Sequence, residues 1–476
     1  MRASGALPGA LVAVACCTLS ACSLAPAYQA PATATAPVYK EAGAWTMGSP
    51  QDALPRGAWW RIYKDAQLDS LEDQLHQSSP DLAQAVARND AARGYLEEAQ
   101  SALLPSIGLG GHTTTNKQSA NRPLRSASQP TYYGDDLVGV SVSWDLDLWG
   151  RVRNEVAAGK AQAQGAAADL ASATLSLEAR LADTYLQLRG LDAQAALLRS
   201  TAGIYQKAFD LTTYRHDTGI ASGLDVESSR TQLAEAQAQL SDVLARRALL
   251  EHAIASLVGS AASGFSIAVA IVDLALPNVP VDVPSTLLQR RPDIASAERQ
   301  VAATNALVGV ARAAFYPDIS LGGLIGFQST HNDALFEAPD ALWTLGPSMA
   351  FTVFDAGRHE GRLTVARANN ARAAAAYRSV VLRAFQEVED NLALLNHLSD
   401  EARDQATATA AATHTQELAL ALYQSGALGF LNVVVAQTTA LQAQQVELSI
   451  QTRRLQTSVG LIRALGGGWS AQDNTG

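Results

Sequence analysis

The residue with the most definite chemistry lies near the start of the chain. Leu19-Ser20-Ala21-Cys22 sets a branched apolar residue and two small residues directly before a cysteine. This pattern matches a bacterial lipobox, in which the thiol is diacylated and the bond between Ala21 and Cys22 is cut, so that Cys22 becomes the first residue. The preceding residues have the layout of an export signal: Arg2, an apolar stretch from Ala6 to Leu19, and a small-residue end. Residues 1–21 are read as a signal peptide, and the expected modification is a diacylglycerol plus an acyl chain on Cys22. The bland reading is an ordinary signal peptide that happens to contain a cysteine. The three cysteines are Cys16, Cys17 and Cys22, so cleavage leaves one and no internal disulfide. Such a lipid anchors the N-terminus without spanning a membrane. An Asp after the cysteine often signals inner-membrane retention; Ser23 points instead to the outer membrane.

Other reactive constellations are sparse. The eight histidines show no pairing with acids at metal-ligand spacing, no Gly-rich phosphate loop follows a strand, and no nucleophile elbow occurs. After cleavage only Met47 and Met349 remain, too few for a methionine ladder. The reading is no metal centre and no enzyme. A net charge of −10 and a pI of about 5.3 argue against nucleic acid as a partner. With 48% hydrophobic and 17% charged residues, wholesale disorder is excluded. Past residue 25 no apolar run approaches the roughly 18–20 residues of a spanning helix.

The elements that carry these residues follow from proline and glycine. No proline falls between 131 and 276 or after 347. Both tracts are rich in Ala, Leu, Gln, Glu and Arg, which favour helix, whereas proline breaks it. Leu170, Thr174, Leu177, Leu181, Tyr185 and Leu188 share one helical face. A helix over about 151–215 would reach roughly 100 Å, too long for one globular core, and so predicts coiled-coil packing.

The chain is also an internal duplication. Pro80-Asp81-Leu82 and Pro292-Asp293-Ile294 stand 212 positions apart, as do Pro105 and Pro317. Gly150-Arg151 matches Gly357-Arg358 at 207, and so do Gly219 with Gly426, Leu224 with Leu431, and Val226 with Val433. The five-residue difference places an indel between 111 and 150. Each half reads as a short helical segment (about 66–103 or 287–315), two strands, a long helix, a glycine turn and another helix. Strands rest on period-two alternation: Val138, Val140, Val142 and Trp144 in one half, Met349, Phe351 and Val353 in the other. Pro347 is placed at a strand's start. The organisation is thus 1–21 signal peptide; 22–58 lipidated N-terminus and extended tether; 59–259 first repeat, with strands about 105–115 and 136–147 and a helix pair about 151–259. A linker follows at 260–286, then 287–466 as second repeat, with strands about 317–330 and 342–355 and a helix pair about 358–466. Residues 467–476 form a tail.

Four strands cannot close a barrel, and open sheet edges are prohibitively costly in a bilayer. If the strands enter a membrane, chains must pool them, and three chains would supply about 12, within the outer-membrane range. Trp144, Trp149, Trp343 and Phe351 flank the strands, as interface aromatics do. A soluble β-sandwich with aromatic core residues is the competing reading.

The chain resembles the outer-membrane efflux family, the TolC-like channels, and within it the NodT-type lipoproteins. The resemblance rests on the lipobox, Trp59-Trp60 with Leu68 and Leu71, Leu103-Leu104-Pro105, Ser143-Trp144-Asp145-Leu146-Asp147-Leu148-Trp149-Gly150-Arg151, and Leu287-Leu288-Gln289-Arg290-Arg291-Pro292-Asp293-Ile294. It covers Cys22 to about Gly466. It implies a mainly α fold with membrane β: a homotrimer whose 12-stranded barrel sits among outer-membrane lipid and continues into a periplasmic α-helical coiled-coil barrel. It further implies a periplasmic adaptor (membrane fusion) protein and an inner-membrane RND-type pump as partners, with drugs or other small molecules as cargo. The alternatives are the outer component of a type I protein secretion system and, in another class, a periplasmic coiled-coil structural lipoprotein.

By the same resemblance, Gly219 and Gly426 mark the periplasmic tips, where the pore rests closed; each glycine also suits a helix end. Many relatives carry an acid and a base after the second turn. Here Val435 and Thr438 occupy those positions, leaving Leu431 and Val435 to form an apolar constriction. Asp225, Glu227 and Arg230 follow the first turn, either as charge rings favouring cations or as ordinary helix-face charge. Arg290 and Arg291 read mainly as a helix start with surface charges, an interprotomer contact being the sharper alternative. Residues 113–133 read as an outer loop capping the barrel.

Overall fold

A computed structural model of the chain describes residues 23–31, 38–41, 57–123, 126, 128–272, 275–277, 290–330 and 335–467. The signal peptide, Ala21 and Cys22 lie outside them, as do parts of the linker and almost all of the tail.

A short 3-10 turn, Trp59–Tyr63, leads to helix α1 (Ala66–Ser78). Asp65 caps α1 by accepting from the backbone N–H groups of Gln67 (2.8 Å) and Leu68 (3.1 Å). Helix α2 is Pro80–Ser101. The segment expected as one helix over 66–103 is therefore two. Ser79 is extended (φ −65°, ψ 120°), as a residue before proline prefers, and Pro80 has no N–H to leave unsatisfied in a first turn. After strands β1 (Ser106–Lys117) and β2 (Tyr132–Asp145) come α3 (Arg151–Asp217) and α4 (Gly223–Leu257). The second half gives α5 (Pro292–Ala313), β3 (Asp318–Ser329), β4 (Ala341–Ala350), α6 (Arg358–Gln424) and α7 (Phe430–Ala464).

The duplication is written in the backbone. Helices α3 and α6 each have 67 residues, and α4 and α7 each have 35. Gly219 and Gly426 share a φ of 79°. Register repeats too: Ser106 pairs with Ser143 as Asp318 pairs with Ala350.

Three strand details differ from the sequence reading. β2 begins at Tyr132, because Tyr132 and Tyr133 pair with Lys117 and Asn116. Positions 113–117, 132 and 133 are thus strand rather than loop. β4 ends at Ala350, so Phe351 and Val353 lie beyond it, on the way to Asp355, which caps α6 by accepting from the N–H of His359 (2.8 Å). Pro347 lies inside β4 opposite Leu321, not at its start.

The described residues form two compact units. One holds the antiparallel sheet, in the order β1-β2-β3-β4, with the helical segments beside it. In it residues 23–31 are not a free tether. Ser23 donates to Asn154 (3.0 Å), Asn305 donates to the Pro26 carbonyl (2.8 Å), Arg312 donates to the Leu24 carbonyl (3.1 Å), and the Tyr28 hydroxyl meets Glu298. A Pro/Ala-rich strip has no ladder of its own, so helix side chains satisfy its backbone.

The other unit holds the main hydrophobic core, built on Trp60, Leu68, Leu71, Leu75, Leu181, Tyr185 and Leu392. Leu68, Leu71 and Leu75 fall on one face of α1 and are at most 1% exposed, each burial contributing about 1.5–3 kcal/mol. Gly259, just past α4, has φ +74°, and a Cβ there would sit 2.2 Å from the Ser78 carbonyl, so no other residue fits. Lys40 and Glu41 donate their backbone N–H groups to Glu389 at 2.8 and 3.0 Å. Arg291 is not a surface charge. It is 8% exposed and donates to Glu387 (2.8 Å) and to the Ala464 carbonyl at the end of α7 (3.0 Å).

Candidate pore-forming sheet and helix tips

The cross-strand register sorts the sheet into two faces. Directly opposed residues share a face. One row runs Leu109, Val140, Ile325, Trp343, and the next runs Ile107, Val142, Gly323, Leu345. Trp144 and Leu321 continue that face towards the helices. The opposite face carries Gly110, Gly139, Gly326 and Leu342, then Gly108, Ser141, Leu324 and Thr344, then Ser106, Ser143, Gly322 and Gly346. One face is therefore apolar with large side chains. The other is mostly glycine and hydroxyl residues. Leu109 is 79% exposed, Ile325 65% and Trp343 77%, which would be wasteful in water but suits lipid. Among the described residues, the outermost strands β1 and β4 have no partner on their outer edges.

The aromatic residues take different places. Trp144 donates its indole N–H to the Leu103 carbonyl (3.0 Å). Trp149 donates to the Pro317 carbonyl (2.8 Å) and stacks on Tyr316 with ring centroids 4.7 Å apart. Trp343 lies in the apolar row. Phe351 is exposed beyond the end of β4. These suit an interface belt, where the ring body is apolar and the N–H needs an acceptor.

At the helix tips the two turns share one backbone and differ in side chains. After α3, Gly219 donates to the His216 carbonyl (2.8 Å) and Ile220 to the Arg215 carbonyl (2.8 Å). After α6, Gly426 donates to Tyr423 (3.1 Å) and Ala427 to Leu422 (2.9 Å). Both are left-handed glycine caps that close the last turn. Asp225 is engaged in a capping box. Ser222 accepts from the Asp225 N–H, and the Asp225 carboxylate accepts from the Ser222 N–H, both at 3.2 Å. Glu227 pairs with Arg230 at 3.3 Å, and that guanidinium lies 5.5 Å over the Phe209 ring. The three charges are therefore not gathered at one centre within a chain. Leu431 and Val435 are 69% and 58% exposed. Thr438 accepts from Gln232 at 3.4 Å, and Gln232 also reaches the Val434 carbonyl at 3.2 Å.

Two residues here escaped the sequence reading. Arg215 donates to the Tyr423 carbonyl (3.2 Å) and the Gln424 carbonyl (3.1 Å), and stacks 4.6 Å over the Tyr423 ring. It satisfies the end of α6 from the other hairpin, where cationic donors are favoured. Gln232 instead ties α4 to α7 through the Val434 carbonyl and the Thr438 hydroxyl. No local pattern marks either, since their partners lie over 200 positions away. The capping box also escaped that reading, although the Ser222–Asp225 spacing is the local signal that could have found it.

Comparison with known proteins agrees with this geometry. The sequence profile described as "Outer membrane efflux protein" matches residues 71–260 and 283–467, one match per repeat. The chain is 31% identical over 455 residues to Outer membrane protein OprJ of Pseudomonas aeruginosa, covering 95% of this chain and 94% of that one. It is likewise 31% identical over 464 residues to the Toluene efflux pump outer membrane protein TtgF of Pseudomonas putida, covering 95% of each. The solved structure of the outer-membrane channel OprN superposes with a TM-score of 0.88 at 28% identity, covering 94% of this chain and all of that one. The expected fold class, a mainly helical, internally duplicated chain that lends four strands to a trimeric barrel, is the one found. Its place is the outer membrane of a Gram-negative bacterium and its role is efflux; the secretion and tether alternatives are not favoured. The chain belongs to the outer membrane efflux protein family.

Proposed function

We propose that this protein is the passive exit duct of a tripartite pump, lipid-anchored at Cys22, gated at its helix tips, and carrying small apolar or amphiphilic molecules. The two-faced sheet with open edges is the observation that supports the duct: three sheets joined edge to edge would place the Leu109–Trp343 row towards lipid and the glycine-rich face towards the lumen. A periplasmic adaptor and an inner-membrane RND-type pump would supply opening and energy. The relative named for toluene efflux supports apolar cargo.

In this reading Leu431 and Val435 narrow the resting pore by an apolar constriction, while Asp225, Glu227 and Arg230 of each protomer form rings of three around it. Because Glu227 and Arg230 offset each other, Asp225 carries the net charge, and cations are favoured. Native mass spectrometry of the full-length protein in mild detergent is the deciding experiment. A complex of three mature chains, each acylated at Cys22, is expected. A lipidated monomer would sink the duct. For the ring, Asp225→Ala should lower cation preference in planar bilayers; unchanged selectivity would remove Asp225 from the pore.

A further inference from the structure

Away from the tips and the sheet, the core unit buries a carboxyl group with no partner. Glu72 on α1 is 0% exposed, and among the described residues neither of its carboxyl oxygens has a hydrogen-bond partner. The nearby charge that acts on it most strongly is that of Glu178 on α3, 5% exposed. Glu178 is fully engaged: the Trp59 indole N–H donates to one oxygen at 2.9 Å, and His76 Nε2 meets the other at 3.0 Å. His76 lies one turn beyond Glu72 on α1 and packs against the Trp60 ring at 5.8 Å. The charges that reach Glu72 are negative: Glu178 from α3, and Asp69 and Asp73 from its own helix. One Asp69 carboxyl oxygen is also buried without a partner.

A buried carboxylate without a donor or cation is far costlier than a buried neutral acid. Glu178 has two contacts that suit an anion, and Glu72 has none. The arrangement therefore assigns the proton to Glu72 and the charge to Glu178. We propose that Glu72 and Glu178 form a proton-binding site that clamps the segment Trp59–Ser78 onto α3, and that loss of the proton as pH rises loosens that segment.

Burial, then the Glu178, Asp69 and Asp73 charges, push the Glu72 carboxyl up to about 10, and burial pushes Glu178 to about 7 despite the Trp59 hydrogen bond. Both bind protons more tightly folded than unfolded. The segment is thus seated most firmly below the ordinary carboxylate range. Seating weakens as pH climbs through about 7 for Glu178, and further towards about 10 for Glu72. Each proton held in the folded state but not in the opened one makes opening about tenfold easier per pH unit. Trp59–Ser78 joins the N-terminal region to α2, so the site ties its hold on α3 to the pH outside the inner membrane.

The test is hydrogen exchange of peptides spanning 57–79 in the full-length protein in detergent, divided by the intrinsic rate at each pH. Between about pH 7.5 and 9 the opening constant of the native protein should rise about tenfold per unit. Glu72→Gln keeps the neutral shape and holds no proton, so its opening constant should stay flat over that range. Equal slopes in the two proteins would overturn the proposal, as would a flat native profile. Glu178→Gln removes the neighbouring charge, so the rise should level off at lower pH than in the native chain. An unmoved profile would show that the two carboxyls do not act as a pair.

Discussion

The two hairpin tips are the same backbone with different chemistry. Both end a 67-residue helix in a glycine at φ 79° and begin a 35-residue helix. The first tip is held by a reciprocal Ser222–Asp225 cap and carries the Glu227–Arg230 pair. The second has Gly429 at the helix start with no side-chain cap, followed by exposed Leu431 and Val435. It is secured instead from outside, by Arg215 on Tyr423 and Gln424. One hairpin is therefore self-sufficient and the other leans on it. Duplication preserved the geometry that glycine dictates and released the side chains, so the two copies hold their tips by different contacts.

The sharpest way to break this comparison is Arg215→Ala. Hydrogen bonds to a charged group contribute about 1.5–3 kcal/mol. Losing two should raise the resting conductance in planar bilayers at least about tenfold. Unchanged conductance would mean that the second tip stands alone. Next come the paired substitutions Gly219→Ala and Gly426→Ala. Nothing lies within 4 Å of either added Cβ, so each should cost only the left-handed penalty, about 1–2 kcal/mol, and the two should match in tip-peptide hydrogen exchange. Unequal costs would show that the turns are not equivalent. The mildest pair tests the caps. Ser222→Ala should destabilise the first tip by about 1 kcal/mol, while Gly429→Ser should steady the second by a few tenths, read from the same exchange experiment. No gain from the serine would mean that Gly429 is not limiting.

What could be read from the sequence was whatever is periodic or local. The 212 and 207 offsets foretold the repeated register, because glycine and proline act on their own backbone. Alternation at Val138–Trp144 foretold the apolar face. The end of β4 was misread because Phe351 and Val353 keep the alternation after the pairing has stopped. Arg215, Gln232 and Arg291 were missed or undervalued because their tertiary partners lie 96 to 209 positions away. Glu72 and Glu178 look like solvated helix charges until tertiary packing removes their water. The same packing hid the Arg189–Asp192–Arg247 network, in which Asp192 bonds both arginines, at 2.9 and 2.7 Å, with 0% exposure.

The docked strip at 23–31 bears on the order in which the chain completes itself. Ser23, Leu24, Pro26 and Tyr28 bond to residues 131 to 288 positions downstream, on helices from both repeats. Contacts of such separation cannot repay their loop-closure entropy until the intervening chain has ordered. The first described residues are thus among the last to find their places. The strip behaves as a closing clasp, and its engagement marks a protomer whose two repeats have already met.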